Sequence, residues 1–200
     1  MKSLKYLIAM AVLVLAITPS LAFGQHNTGT QGCCDLLDPY WTLVAAPPGV
    51  TLGNVYSTPI DGRGWVPPSP NSWWINPTGS QVSEPVGNYD YQMTFTLTSP
   101  TMLSGEFAAD NSACLSLDGS PTGMCTVNGD HGFEQYTPFE LGILGPGTHT
   151  LDAIVFNEGD ITGLELEIGP EGTTPEPSSL LLMGTGVLGL IGVVRRKLVG

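Results

Sequence analysis

The chain has 200 residues, with 18 acidic side chains against six basic ones and a formal charge of −12. Five of the six cations lie in the terminal segments (Lys2, Lys5, Arg195, Arg196 and Lys197), so the body between them carries only Arg63 against 17 acids, a formal −16. Such a body repels nucleic acid and anionic lipid headgroups, which excludes both as its partners, and it meets an acidic polysaccharide only across bridging divalent cations.

Residues 1–22 have the form of a secretory signal peptide. Lys2 and Lys5 make a basic start, Tyr6 to Ile17 is an uncharged apolar run, and Thr18-Pro19-Ser20 breaks it. Ser20 and Ala22 are the spaced small residues that signal peptidase accepts, which predicts cleavage after Ala22. A segment at 23–40 then precedes a domain at 41–169.

Export to an oxidising compartment makes disulfides the default for Cys33, Cys34, Cys114 and Cys125, with three pairings open. Cys114 and Cys125 flank a run, Leu115 to Gly119, that reads as a strand entering a turn, so a hairpin staple between them is the first choice. Cys33 and Cys34 then either bridge to each other or stay free. No Cys-x-x-Cys pair occurs and the three histidines are scattered, which argues against a cysteine–histidine metal site.

The domain reads as all-β. Trp41 to Ala45 and Trp73 to Ile75 suggest strands near its start. From Tyr89 to Thr98, Tyr89, Tyr91, Met93, Phe95 and Leu97 alternate with polar residues, so one face is buried and one wet. Leu103 to Ala109, Ala113 to Leu117 and Thr162 to Ile168 alternate likewise, the last with Leu164, Leu166 and Ile168 inward and Glu165 and Glu167 outward. Thr148 to Phe156 is β-rich. Asp61-Gly62, Asp118-Gly119, Asn128-Gly129 and Gly145-Pro146-Gly147 mark turns between these runs. No helical periodicity appears. The pattern predicts an antiparallel β-sandwich or jelly roll, flanked by the signal peptide and one C-terminal transmembrane helix.

Residues 170–174 form a short linker, and 175–200 hold three parts in order: Pro175-Glu176-Pro177, an uncharged stretch from Ser178 to Val194, and Arg195-Arg196-Lys197. The prolines keep the chain extended and open to an enzyme groove. Leu180 to Val194 is 15 residues. At ~1.5 Å per residue it spans ~22 Å of a ~30 Å hydrocarbon core, and snorkelling arginines and the flanking serines can close the gap. The basic cluster stays cytoplasmic and orients everything upstream outward. A G-x-G-x-x-G match at Gly184–Gly189 lies inside this apolar run with no βαβ unit around it and is discounted. So is a lipid-anchor signal, because three cations follow the apolar stretch.

This order, with Pro175-Glu176-Pro177-Ser178-Ser179-Leu180-Leu181-Leu182-Met183-Gly184-Thr185-Gly186 at its head, resembles the PEP-CTERM sorting signal of bacterial envelope proteins. The resemblance implies processing by an exosortase, a membrane-embedded transpeptidase. It places the protein in the envelope, membrane-anchored before processing, then at the surface or outside the cell, in a setting of exopolysaccharide and biofilm. A second resemblance rests on Trp74-Ile75, Gly87 to Phe95, Leu103 to Asn111, Leu115 to Gly119, Gly147 to Leu151 and Asn157 to Leu164. These pieces are similar, in order, to the galactose-binding-like jelly rolls of PEP-CTERM proteins. The chain departs from that pattern at His149 and Asp118, where Asn is expected.

A serine-hydrolase elbow, an H-E-x-x-H helix and a Walker loop are absent from the sequence, which predicts a noncatalytic domain that requires no cofactor. Calcium is a candidate ligand, because Asp110, Asn111, Asn157 and Asp160 supply hard oxygens within turns. Sugar rings offer apolar faces ringed by hydroxyls and so stack on exposed aromatics beside hydrogen-bonding groups. Trp65, Trp73 and Tyr136 are the candidates, Trp65 and Trp73 lying among Gly, Pro, Ser and Asn; Trp74 is assigned to the core. The functional expectation is a matrix or envelope protein that binds glycan. The alternatives are a purely structural surface domain and, behind it, a hydrolase of surface polymer.

Overall fold

The computed structural model describes residues 27–60 and 64–169. The signal peptide, Arg63, the linker, the sorting motif Pro175-Glu176-Pro177, the apolar stretch after it and Arg195, Arg196 and Lys197 lie outside the described residues. Among the described residues, no helix is long and apolar enough to cross a membrane.

The described residues form β1 (Leu37–Ala45), β2 (Gly53–Ser57), β3 (Ile75–Asn76), β4 (Gly87–Leu97), β5 (Thr101–Asp110), β6 (Ser112–Leu117), β7 (Ser120–Cys125), β8 (Thr137–Leu144), β9 (Gly147–Asn157) and β10 (Gly163–Ile168). A single 3-10 turn, Gly129–His131, precedes β8. All strands join one sheet in the order β7-β6-β9-β4-β1-β2-β3-β10-β5-β8, and every pairing is antiparallel. The end strands β7 and β8 approach each other, so the sheet curls until it nearly closes. This is the all-β, antiparallel class that the alternation predicts.

Period-two alternation builds the interior. β4 sends Tyr89, Tyr91, Met93 and Phe95 inward, and its partner β9 sets Val155, Ala153 and Leu151 directly opposite the first three. Large residues facing small ones across a strand pair let the side chains interdigitate. Trp41, Leu43, Phe107, Leu115, Leu164 and Leu166 complete one continuous core. At the β6–β7 hairpin, Asp118 and Gly119 adopt φ of 50° and 74°, the left-handed pair a two-residue turn needs, and a disulfide joins Cys114 to Cys125 across the register. Cys33 and Cys34 are bonded to each other.

A second layer lies outside this sheet and decides where the candidate site forms. β3 is only two residues long and pairs with β10 only at Leu164. The rest of that β10 edge needs other partners. The chain start supplies them: Thr28 donates its N–H to the Leu166 carbonyl and accepts the Leu166 N–H on Oγ1, while Asn27 Oδ1 accepts from Ile168 N. Residues 27–36, read from sequence as lying ahead of the domain, are thus hydrogen-bonded into it. Asp38 fixes them further, its buried carboxylate accepting from the backbone N–H groups of Gly29, Tyr40 and Trp41 at 2.6, 2.8 and 2.9 Å. Burial pushes the Asp38 pKa up even against those three donors.

The segment from Gly64 to Trp74 covers the outer side of β5 and β10. Trp65 and Trp74 stack with centroids 4.2 Å apart and pack with Ala108 and Ile161 into a separate apolar cluster. Gly163 permits this, because a Cβ there would lie 2.8 Å from the Trp65 ring. One consequence is a correction at Glu165. Its side chain points away from the core, as the alternation requires, yet it is fully buried because this segment lies over it.

Candidate functional site

The covering segment meets the chain start in a cleft of about 550 Å³, lined by Gly29, Thr30, Gly32, Ser69, Asn71, Ser72 and Trp73 among others. Its wall is the Ser69–Ser72 turn, which the sequence builds from a serine three residues ahead of another. Ser69 Oγ accepts the N–H groups of Asn71 and Ser72, both at 3.0 Å, and lies 2.8 Å from Ser72 Oγ. Trp73 is half-buried and fixed at both ends, its backbone N–H on the Thr28 carbonyl and its indole N–H on the Thr58 carbonyl. Thr30 Oγ1 is buried and has no hydrogen-bond partner among the described residues.

Beneath the turn sits Glu165. Its Oε1 accepts from Ser69 N at 3.0 Å and from Ser72 Oγ at 2.8 Å, while Oε2 is buried without a hydrogen bond. Next to it on β10, Glu167 accepts from Asn71 Nδ2 at 2.7 Å. Burial, acting against the pull of those donors, pushes the Glu165 pKa up from 4.5 to about 7. Tyr136 lies close by: its hydroxyl donates to the Pro67 carbonyl, and burial, then the charge of Glu165 and hydrogen bonding with it, then the charge of Glu106, raise its pKa far above the usual phenol range.

The three aromatics singled out from sequence therefore separate. Trp73 lines the cleft. Trp65 is only 6% exposed and donates its indole N–H to Asp110 Oδ2 at 2.7 Å, so it is packing and not a platform. Its Gly- and Pro-rich surroundings form a covering layer and not a free loop. Tyr136 and Trp73 both pack, half-buried, against the apolar cluster of Trp65, and of the two only Trp73 lines the cleft.

The oxygen ligands considered for calcium separate too. Asp110, Asn111 and Asp160 line a smaller cleft of about 210 Å³. Asn157 is instead buried in the fold, its amide donating to the Glu84 and Pro85 carbonyls and accepting from Gly159 N. Asp110 Oδ2 already serves Trp65, and Asn111 Oδ1 accepts from Glu158 N at 2.8 Å. Among the described residues no three His, Cys, Asp or Glu side chains converge as a metal site. The set fits hydrogen bonds within the fold better than it fits a cation.

At another turn, the two departures from the jelly-roll pattern prove to be partners. His149 Nδ1 lies 2.8 Å from Asp118 Oδ2, and its Nε2 lies 3.0 Å from the Gly145 carbonyl. Both partners are acceptors, so only the protonated ring donates to both. Asp118 Oδ1 also accepts from Thr150 N. The bond to Asp118, then the one to Gly145, raises the His149 pKa above 6.5; the bond from His149, then the one from Thr150, holds Asp118 below 3.8.

Sequence reasoning missed Ser69, Asn71, Ser72 and Glu165. The run Ser69-Pro70-Asn71-Ser72 carried a turn signal, but nothing in it showed which strand the turn would cover. No curated protein matches the chain. A family model, the PEP-CTERM protein-sorting motif, matches residues 173–197. The chain thus carries the sorting signal of an exported, exosortase-processed surface protein.

Proposed function

We propose that the exported domain is a noncatalytic jelly roll that binds a neutral glycan of the cell envelope or extracellular matrix in the Trp73 cleft. What supports this reading above all is the cleft itself: Trp73, with its backbone N–H held by Thr28 and its indole N–H by Thr58, beside the Ser69, Asn71, Ser72 and Thr30 side chains. A sugar ring stacks on such a face while its hydroxyls meet the surrounding oxygens and amide. Neutral sugars suit it because no described residue is Lys or Arg, so uronate, sulfate or phosphate groups have no counter-charge there. The near-closed antiparallel sheet agrees with a jelly roll without singling it out.

The test is a neutral-glycan array probed with the processed protein, with and without calcium. We expect binding that Trp73→Ala abolishes while circular dichroism shows the sheet still folded. An array with no hits under either condition rejects the reading. Burial of Trp65 and the packing of Tyr136 against its cluster favour the second reading, a purely structural surface domain with no small ligand, and that outcome would select it.

A further inference from the structure

The grip of Glu165 on the cleft wall goes beyond binding to its control. One oxygen of this carboxyl holds the Ser69–Ser72 turn through a backbone N–H and a hydroxyl, and the other is buried without a hydrogen bond. The side chain is fully buried. We propose that Glu165 is a proton-operated latch on the cleft wall: protonated, it keeps the turn down; ionised, it draws in water and lets the turn lift.

The groups around it set the direction. Glu167 lies on the same strand, and Glu106 on β5 is in register with Glu167. Tyr136, from the segment before β8, faces both Glu165 and Glu106. From the covering turn come only the neutral donors Ser69 and Ser72. Burial is the largest influence on the carboxylate and the charge of Glu167 adds to it, and together they outweigh the donors Ser72, Ser69 and Tyr136, so the charged form is the costly one. The usual remedy for a buried charge is a paired cation or release to solvent. Here release requires that the Ser69–Ser72 turn move and that Asn71 give up its bonds to Glu167 and Asn27, while β10 stays held by β5 on one side and by Asn27, Thr28 and β3 on the other.

The closed turn binds the proton more tightly than the open one. It is therefore most favoured at acidic pH and loses that advantage as pH rises toward about 7, the value to which burial moves this group. Each unit of separation from the usual 4.5 is a tenfold change in the closed-to-open ratio. Control of glycan binding by this latch rests on the cleft reading above, whereas the latch itself does not.

Hydrogen exchange of the 66–73 backbone in the processed protein, corrected for intrinsic rates, tests it. Between about pH 5 and about pH 8 we expect protection to fall by up to about a hundredfold, and Glu165→Gln to flatten the profile. Protection that does not change with pH overturns the latch, as does a fall that survives unchanged in Glu165→Gln. Should that variant fold poorly, the Glu165 carboxyl carbon can be followed by NMR in the unaltered protein. Titration over the same interval as the loss of protection supports the latch, and a midpoint near the usual 4.5 rejects it. A last arm measures cellohexaose and chitohexaose binding at both pH values. Weaker binding at the higher pH extends the latch to function. Exchange that follows pH while neither sugar binds at either pH leaves the latch standing and removes the cleft reading.

Discussion

Two acids in this domain solve the same problem in opposite ways. Glu165, under the Gly64–Trp74 segment, is fully buried and has its pKa pushed up to about 7. Asp118, at an exposed turn, is held below the usual value by His149 and by the Thr150 N–H. With no Lys or Arg among the described residues, an acid there can find a histidine, gather backbone donors, or keep its proton. The lesson is that a strongly acidic exported domain spreads its charge over groups that do not all ionise together. Its effective charge near neutrality is smaller than the formal count.

The contrast can be broken most forcefully by removing the cover. Trp65→Ala deletes a nearly buried indole and should cost about 4 kcal/mol in chemical denaturation. If the cover causes the upward shift, the Glu165 midpoint in that variant should fall toward 4.5.

Glu165→Gln should have the next largest effect, in the pH dependence of stability. The folded-state pKa lies above the unfolded one, so the folded chain binds more protons between 4.5 and about 7. Stability from this group is complete below that window and lost as pH rises through it, by about 3 kcal/mol in all. Melting curves should show this decline in the unaltered protein and a much smaller one in the variant.

On the exposed side, replacing Cys114 and Cys125 together by Ala should cost about 2 kcal/mol, because the bridge closes a short loop. That loosening should also weaken the grip of Asp118 on His149, read as a fall in the histidine midpoint by NMR. The smallest effect belongs to His149→Ala, a change at an exposed, solvent-screened pair. What stability the pair gives is present below 6.5 and lost as pH rises through the raised histidine value. It is also lost as pH falls below 3.8 through the lowered value of Asp118. A melting temperature independent of pH over that interval would show that the pair contributes nothing.

Much of the sheet was legible because alternation reports which side of a strand a residue occupies. Tyr89 to Thr98 as read overlaps β4, and Thr148 to Phe156 lies within β9. Alternation cannot report whether another layer covers the outer side, and this is why Glu165 read as wet and Trp65 as free. Nor did any period mark β2, β7 or β8, which are short or interrupted by Pro121, Gly123, Pro138 and Gly142. The anchoring of Asn27 and Thr28 on β10 was invisible for a related reason. It answers the shortness of β3, a property of distant chain that no local window contains.

The end strands carry one more consequence. β7 contains Pro121 and β8 contains Pro138, and each also has a glycine of positive φ, Gly123 and Gly142. Prolines remove donors and left-handed glycines kink the rim, so neither border offers a long, flat template to a neighbouring chain. Copies crowded side by side at a cell boundary can then reach high local density as separate molecules, without annealing into fibres.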